Sequence, residues 1–201
     1  MISPRPRIAE PPHQVSPRGR LMTAAATLFA EQGYGATTIR DIGRETGVTP
    51  GAIYAHFSSK QALLLDVYRL GVATISDTVS AAIDARSDPW ERLRAAIAAH
   101  LECLLDASPF AAVIVRVLPA DAPEIADQLV ALRDRYEETF KGLFDELGPA
   151  ADSNLPLQRL LLLGALNAVP NWYAPGSDTP DEIAAVLCAT LRHGIAGEVA
   201  T

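Results

Sequence analysis

The sequence predicts an all-α fold: an N-terminal helix-turn-helix head followed by a larger helical C-terminal domain. Three observations lead there. Apolar residues recur at helical spacing from Ser16 almost to the end of the 201 residues. Pro, Gly, Ser, Thr and Asp punctuate the chain where helices should start and stop. Within residues 38–57, a tight turn around Gly47 joins two short helical segments, a geometry that can lay the second helix in a DNA major groove.

Each element can be justified in turn. Residues 1–15 are Pro-punctuated and contain Arg5 and Arg7, which suggests a disordered basic arm rather than a secretory signal. From Ser16, the residues Leu21, Ala25, Leu28 and Phe29 give a first helix, ended by Gly33. Thr38 is a good N-cap for a second helix, with Asp41 in the acidic capping position and Ile39 and Ile42 inward. Gly47 can supply the left-handed turn, and Val48 is expected to plug inward. Thr49 caps a third helix with Pro50 at its first position, where a missing N–H costs nothing. Ile53 and Phe57 face its core side. Lys60 opens a longer fourth helix.

The rest also reads as helix. Asp88-Pro89 starts a segment to about Ala107, and Ser108-Pro109 starts Phe110–Leu118. Val and Ile are dense in that stretch and could suit a strand, but its helical neighbours favour a buried helix. Asp121-x-Pro123 starts a segment to about Leu147. Leu155–Trp172 is apolar nearly all round, and Pro180 to about Ile195 closes the chain. The expected domains are thus an arm at 1–15, a DNA-binding head at 16–68 and a second domain at 69–201.

Composition narrows the function. Apolar residues make up 49% of the chain, enough for a core, while the longest apolar stretch, Leu160–Ala168, is shorter than the roughly 20 residues a bilayer requires. Two cysteines, Cys103 and Cys188, exclude a disulfide framework and make a cytoplasmic setting the default. No metal-ligand spacing or phosphate loop occurs, and no nucleophile with an adjacent base can be read, so neither a cofactor nor an enzyme is expected. The net charge is −7, yet residues 1–60 hold seven Lys/Arg against four acids while the remainder holds ten against twenty. A slightly positive head on an acidic body fits contact with a polyanion.

The exposed positions expected to meet DNA are Thr38, Arg40, Thr49, Pro50, Gly51, Ala52, Tyr54, His56 and Lys60. Thr38, Tyr54, His56 and Lys60 can reach phosphates. Arg40 and Arg44 can face DNA or solvate the second helix. The third helix carries no Arg, Asn or Gln, so bidentate base reading is sparse; Thr49, close approach at Gly51, thymine-methyl contact at Ala52 and DNA shape remain.

The run from Ala36 to Leu64, with Gly47-Val48, Gly51, Ile53-Tyr54, His56-Phe57 and Lys60 in register, resembles the TetR family of bacterial transcriptional regulators. Ala26-x-Leu28-Phe29-Ala30-Glu31-x-Gly33-Tyr34 matches that family's first helix, so the resemblance covers about residues 18–68. Gly43 stands where the family usually carries Ala, and Ala55 where an aromatic is frequent. The resemblance implies a homodimer on palindromic operator DNA, usually a repressor, with a divergent C-terminal domain that holds an inducer.

Pocket candidates are His100, Cys103, Phe110, Ile114, Arg116, Tyr136, Asn167 and Trp172, with Trp90, Leu104, Leu118 and Phe140 beside them. Arg116 interrupts an apolar run and should need an anion, either an internal carboxylate such as Glu102 or Asp134 or an acidic ligand. Leu163 to Gly176, with Trp172-Tyr173 before Pro175-Gly176, is similar to the tail of TetR regulators that answer to acyl-CoA thioesters, except that Ala174 replaces a common Arg. A self-complementary dimer patch is expected from Leu157, Leu161, Gly164, Ala165 and Ala168, together with Ile183, Val186, Leu187, Thr190 and Leu191. The first of these faces could instead be the domain's buried centre. Ligand-independent action, or redox sensing through the cysteines, is the alternative mode.

Overall fold

In the computed structural model, residues 16–106, 108–148, 154–174, 176 and 178–193 are described. The arm and the last residues toward Ile195 lie outside them. Every regular element among the described residues is helical, including the Val- and Ile-rich stretch after Pro109.

Helix α1 (Pro17–Gln32) starts where the Ser16 hydroxyl accepts a hydrogen bond from Gly19 N–H at 2.9 Å, and it stops at Gly33, whose φ of 86° suits glycine. Helix α2 (Ile39–Thr46) carries a complete capping box: Thr38 Oγ1 accepts from Asp41 N–H, and Asp41 accepts from Thr38 N–H at 3.0 Å. Gly47 is left-handed at φ 70°. Val48 does not plug inward; it is 36% exposed. Backbone fills that space instead, because Val48 N–H donates to Gly43 O at 3.0 Å and a Cβ on Gly43 would stand 2.7 Å from Val48 O. Glycine at 43, unfavourable in a helix by about 1 kcal/mol, thus permits the tight turn.

Helix α3 (Pro50–Tyr54) is shorter than expected and gives way to a turn in which His56 N–H donates to Ile53 O at 2.9 Å. Ile53 and Phe57 are nevertheless buried. Helix α4 (Lys60–Asp84) follows, capped by Ser59, and runs without interruption from the head into the second half of the molecule. Beyond it lie α5 (Pro89–Leu105), α6 (Pro109–Arg116), two short 3₁₀ turns, α7 (Ala126–Leu147), α8 (Leu155–Trp172) and α9 (Pro180–His193).

Two apolar clusters organise these helices. The first joins Phe29, Ile42, Ile53, Phe57, Leu63 and Tyr68 of the head to Phe110, Val113 and Val117 of the α6 segment. The second gathers the distal part of α4 with α5, α7, α8 and α9 around Ile97, Leu101, Phe140 and Leu166. Each such fully buried side chain contributes about 1.5–3 kcal/mol. Helix α6 therefore packs against both α1 and α4 and ties the two halves together. Arg116 on α6 reinforces this tie by donating to Ala30 O in the last turn of α1 at 2.9 Å.

Candidate nucleic-acid interface

The α2–α3 unit is sealed on one side and open on the other. Ile42, Ile53 and Phe57 are buried, whereas Thr38, Arg40, Thr49, Pro50, Gly51, Ala52, Tyr54 and His56 are all exposed. Thr49 Oγ1 accepts from Ala52 N–H at 3.3 Å, which leaves its own proton free to donate outward. Gly51 has open space before it: a Cβ there would have only the Thr49 hydroxyl within 4 Å. Tyr54 is 54% exposed beside it.

Two side chains of the group are engaged internally. Thr38 Oγ1 donates to Asp41 Oδ2 at 2.7 Å, and that cap holds the Asp41 carboxyl below the usual carboxylate range. Lys60 is half-buried: its Nζ donates to Tyr34 O and Thr37 O, each at 2.9 Å, and lies 4.1 Å from the Tyr34 ring centroid. Two of its three ammonium protons thus clip the α1–α2 connection to the start of α4. Sequence periodicity held no hint of this clip, since its acceptors are main-chain carbonyls. Of the two arginines left open, Arg44 pairs with Asp41 at 2.8 Å, while Arg40 points to solvent and forms no ion pair among the described residues.

The proposed pocket residues separate. His100, Ile114, Tyr136 and Asn167 do meet, with Leu104, around a small cavity of about 30 Å³. Val72 and Ile75 of α4, Arg133, Glu137 and Leu163 complete its wall. These were missed because on a sequence they resemble ordinary core or surface positions; Arg133, one turn before Tyr136, was the available signal. Within the cavity His100 Nδ1 and Tyr136 Oη are 2.7 Å apart, and Nε2 is buried with no hydrogen-bond partner among the described residues. Desolvation pushes the His100 pKa down to about 4, against a smaller opposing effect of the nearby Asn167 amide. Burial likewise raises the Tyr136 phenol, which stays protonated.

The other candidates lie elsewhere. Phe110 belongs to the head-side cluster, Trp172 is 60% exposed, and Cys103 is half-buried with its thiol raised by desolvation. Arg116 corrects an expectation. It is exposed rather than buried, so no buried anion is required, and it forms no ion pair with Glu102 or Asp134. It lines an open cleft of about 400 Å³ between α1, α5, α6 and α8.

On α8, Leu157, Leu161, Gly164 and Ala165 are exposed and Ala168 is half-buried, so this face is not the domain's centre. Leu160, also exposed, extends the stripe; its i+3 spacing from Leu157 was the overlooked signal. On α9, Val186 and Thr190 are exposed, whereas Ile183, Leu187 and Leu191 pack partly on the second cluster. Salt bridge Arg94–Asp181, at 2.6 Å, and Arg192 over Trp90 hold α9 on α5. Among the described residues no acidic, His or Cys cluster could hold a metal ion, and no single helix is long and apolar enough to cross a membrane.

Comparison with known proteins follows this layout. Residues 21–67 match the family described as bacterial regulatory proteins, tetR family, and residues 86–195 match the tetracyclin repressor-like C-terminal domain. The chain is 29% identical over 186 residues to the HTH-type transcriptional repressor KstR2 of Rhodococcus jostii, covering 89% of this chain and 91% of that protein. The solved ketosteroid transcriptional regulator KstR2 of Mycobacterium tuberculosis superposes with a TM-score of 0.71 at 25% identity, over 87% of this chain and 94% of that one. The TetR family regulator PfmR of Thermus thermophilus gives 0.72 at 27% identity, over 86% and 96%.

Proposed function

Because this chain belongs to the TetR family of bacterial transcriptional regulators, we propose that it is a transcriptional repressor that binds a palindromic operator as a homodimer. The observation that carries this reading is the one-sided burial of α3: Ile53 is sealed in the core while Thr49–Ala52 and Tyr54 stand open. Thr49, Pro50, Gly51 and Ala52 approach base edges, and Thr38, Arg40, Tyr54 and His56 approach phosphates. Lys60 acts mainly by positioning α4 against the head. The two heads of a dimer must present their α3 helices roughly 34–36 Å apart to meet half-sites one turn apart.

The dimer contact in this reading is the exposed apolar face of α8 with Val186 and Thr190 of α9, paired across a two-fold axis into a four-helix bundle. Release follows from a small hydrophobic or acyl-CoA-like ligand that prefers a state with the heads at the wrong spacing. The cleft of about 400 Å³ supports a ligand-responsive reading, since small-molecule sites run from about 300 to 1,000 Å³.

The test is anisotropy of a labelled duplex from upstream of the protein's own start codon. Tyr54→Ala should weaken binding about tenfold and equally on all sequences, as loss of a phosphate contact requires. Unchanged affinity removes Tyr54 from the interface, and no binding by the wild type overturns the reading. A thermal-shift screen of acyl-CoAs against free hydrophobic compounds separates the two ligand classes.

A further inference from the structure

The smaller cavity and the larger cleft share one wall. Leu104 lines both. Each of three helices supplies residues to both compartments, in each case within five residues. On α5, His100 faces the cavity and Leu105 the cleft; on α6, Ile114 and Val115; on α8, Asn167 and Asn171. Asn167 and Asn171 are one turn apart and lie one above the other, whereas His100 and Leu105, and Ile114 and Val115, point to different sides of their helices, so the helices themselves form the partition between the two spaces. Leu104, only 9% exposed, is the side chain common to both.

The inner space has one unsatisfied polar point. The half-buried Tyr136 phenol keeps its proton and can donate it to His100 Nδ1, which then leaves Nε2 as the N–H. By distance and angle that N–H has no acceptor among the described residues, although the Asn167 amide lies close enough to the ring to favour its charged form. An orphaned buried donor is destabilising and calls for an explanation. The imidazole is uncharged at neutral pH, so it offers a hydrogen bond and no ion pair. The wall also carries one guanidinium, Arg133, and one carboxylate, Glu137, so it brings no net charge to repay a carboxylate for leaving water.

We propose that cavity and cleft are the two ends of one ligand channel gated by Leu104, whose inner end takes an uncharged oxygen acceptor carried on an apolar body. The acceptor, a ketone or ester carbonyl, receives the His100 Nε2–H bond, while more polar parts of the ligand remain in the cleft beside Arg116 and Asn171. Val72 and Ile75 of α4 form part of the inner wall, so occupancy bears on the helix that continues into the head. The proposal rests on the ligand-responsive reading above and specifies its chemistry.

The test uses the full chain and three probes of similar size: propiophenone, propylbenzene and 3-phenylpropionate, titrated by calorimetry. The ketone should bind at least tenfold tighter than either other probe. His100→Phe should erase that preference and leave the hydrocarbon unchanged, because a site built to donate a hydrogen bond rejects the analogue that lacks the acceptor. Leu104→Ala should tighten both neutral probes. If a core variant does not fold, the ring ¹⁵N signals of His100 in the wild type serve instead, and should move with the ketone and stay still with the hydrocarbon. Equal affinities, a preference that survives His100→Phe, or a site that admits a single water only would overturn the channel. Operator release is read separately: ketone binding without release refutes ligand control and keeps the channel, whereas release by another compound without ketone binding does the reverse.

Discussion

At Lys60 a residue expected to face DNA does most of its work inside the protein. Its ammonium satisfies the carbonyls of Tyr34 and Thr37, and desolvation lowers its pKa. Lys60→Met should leave those two acceptors unmet and cost about 1–3 kcal/mol in urea unfolding. The salt slope of operator binding should stay the same; a slope reduced by about one would instead make Lys60 a phosphate contact. His100 gives a second residue-scale prediction. Its folded pKa near 4 lies below the ordinary 6.5, so the unfolded chain takes up a proton first as pH falls. Stability is therefore fully present above about pH 6.5 and declines toward pH 4, by up to about 3 kcal/mol. Tyr136 and Cys103, both raised by burial, remain neutral through that window. Urea melts at pH 7 and 4.5 should show this loss in the wild type and a smaller one in His100→Phe; equal losses would assign the effect to other groups.

Among the elements, α4 and α6 cross closely at Gly71. A Cβ on Gly71 would stand 2.7 Å from Phe110 O and 2.9 Å from Ile114 Cδ1. Alanine normally gains about 1 kcal/mol over glycine within a helix. Here the gain is outweighed by displacing a backbone carbonyl, as overpacking typically costs about 1–3 kcal/mol. Gly71→Ala should therefore lower the melting temperature and weaken operator binding, because α4 carries the head; a rise in melting temperature would show that α6 yields freely. The short elements show how local signals act. Thr38, Gly47, Thr49 and Pro50 marked the ends of α2 and α3 because capping and left-handed turns depend on neighbours within four residues. Val48 misled for the same reason: its burial depended on whether a side chain or the backbone would fill the space above Gly43, which residue type alone does not set.

For the whole molecule, the exposed apolar stripe on α8 departs from what a lone chain needs. Leu161, 65% exposed, lies at its middle. Leu161→Glu should shift a dimer toward monomer in sedimentation equilibrium and weaken operator binding without lowering secondary structure; an unchanged mass would remove α8 from the interface. The helical architecture, the order of helices and the sides that α2 and α3 bury were all legible in the chain, since period, caps and turn residues are local properties. Bringing His100, Tyr136 and Asn167 together from three helices, setting Leu104 between two cavities and leaving Arg116 against the carbonyl of Ala30 were decided only by tertiary packing. Those pairings span tens of residues, and a periodic pattern says which face of a helix is buried but not which other face it meets.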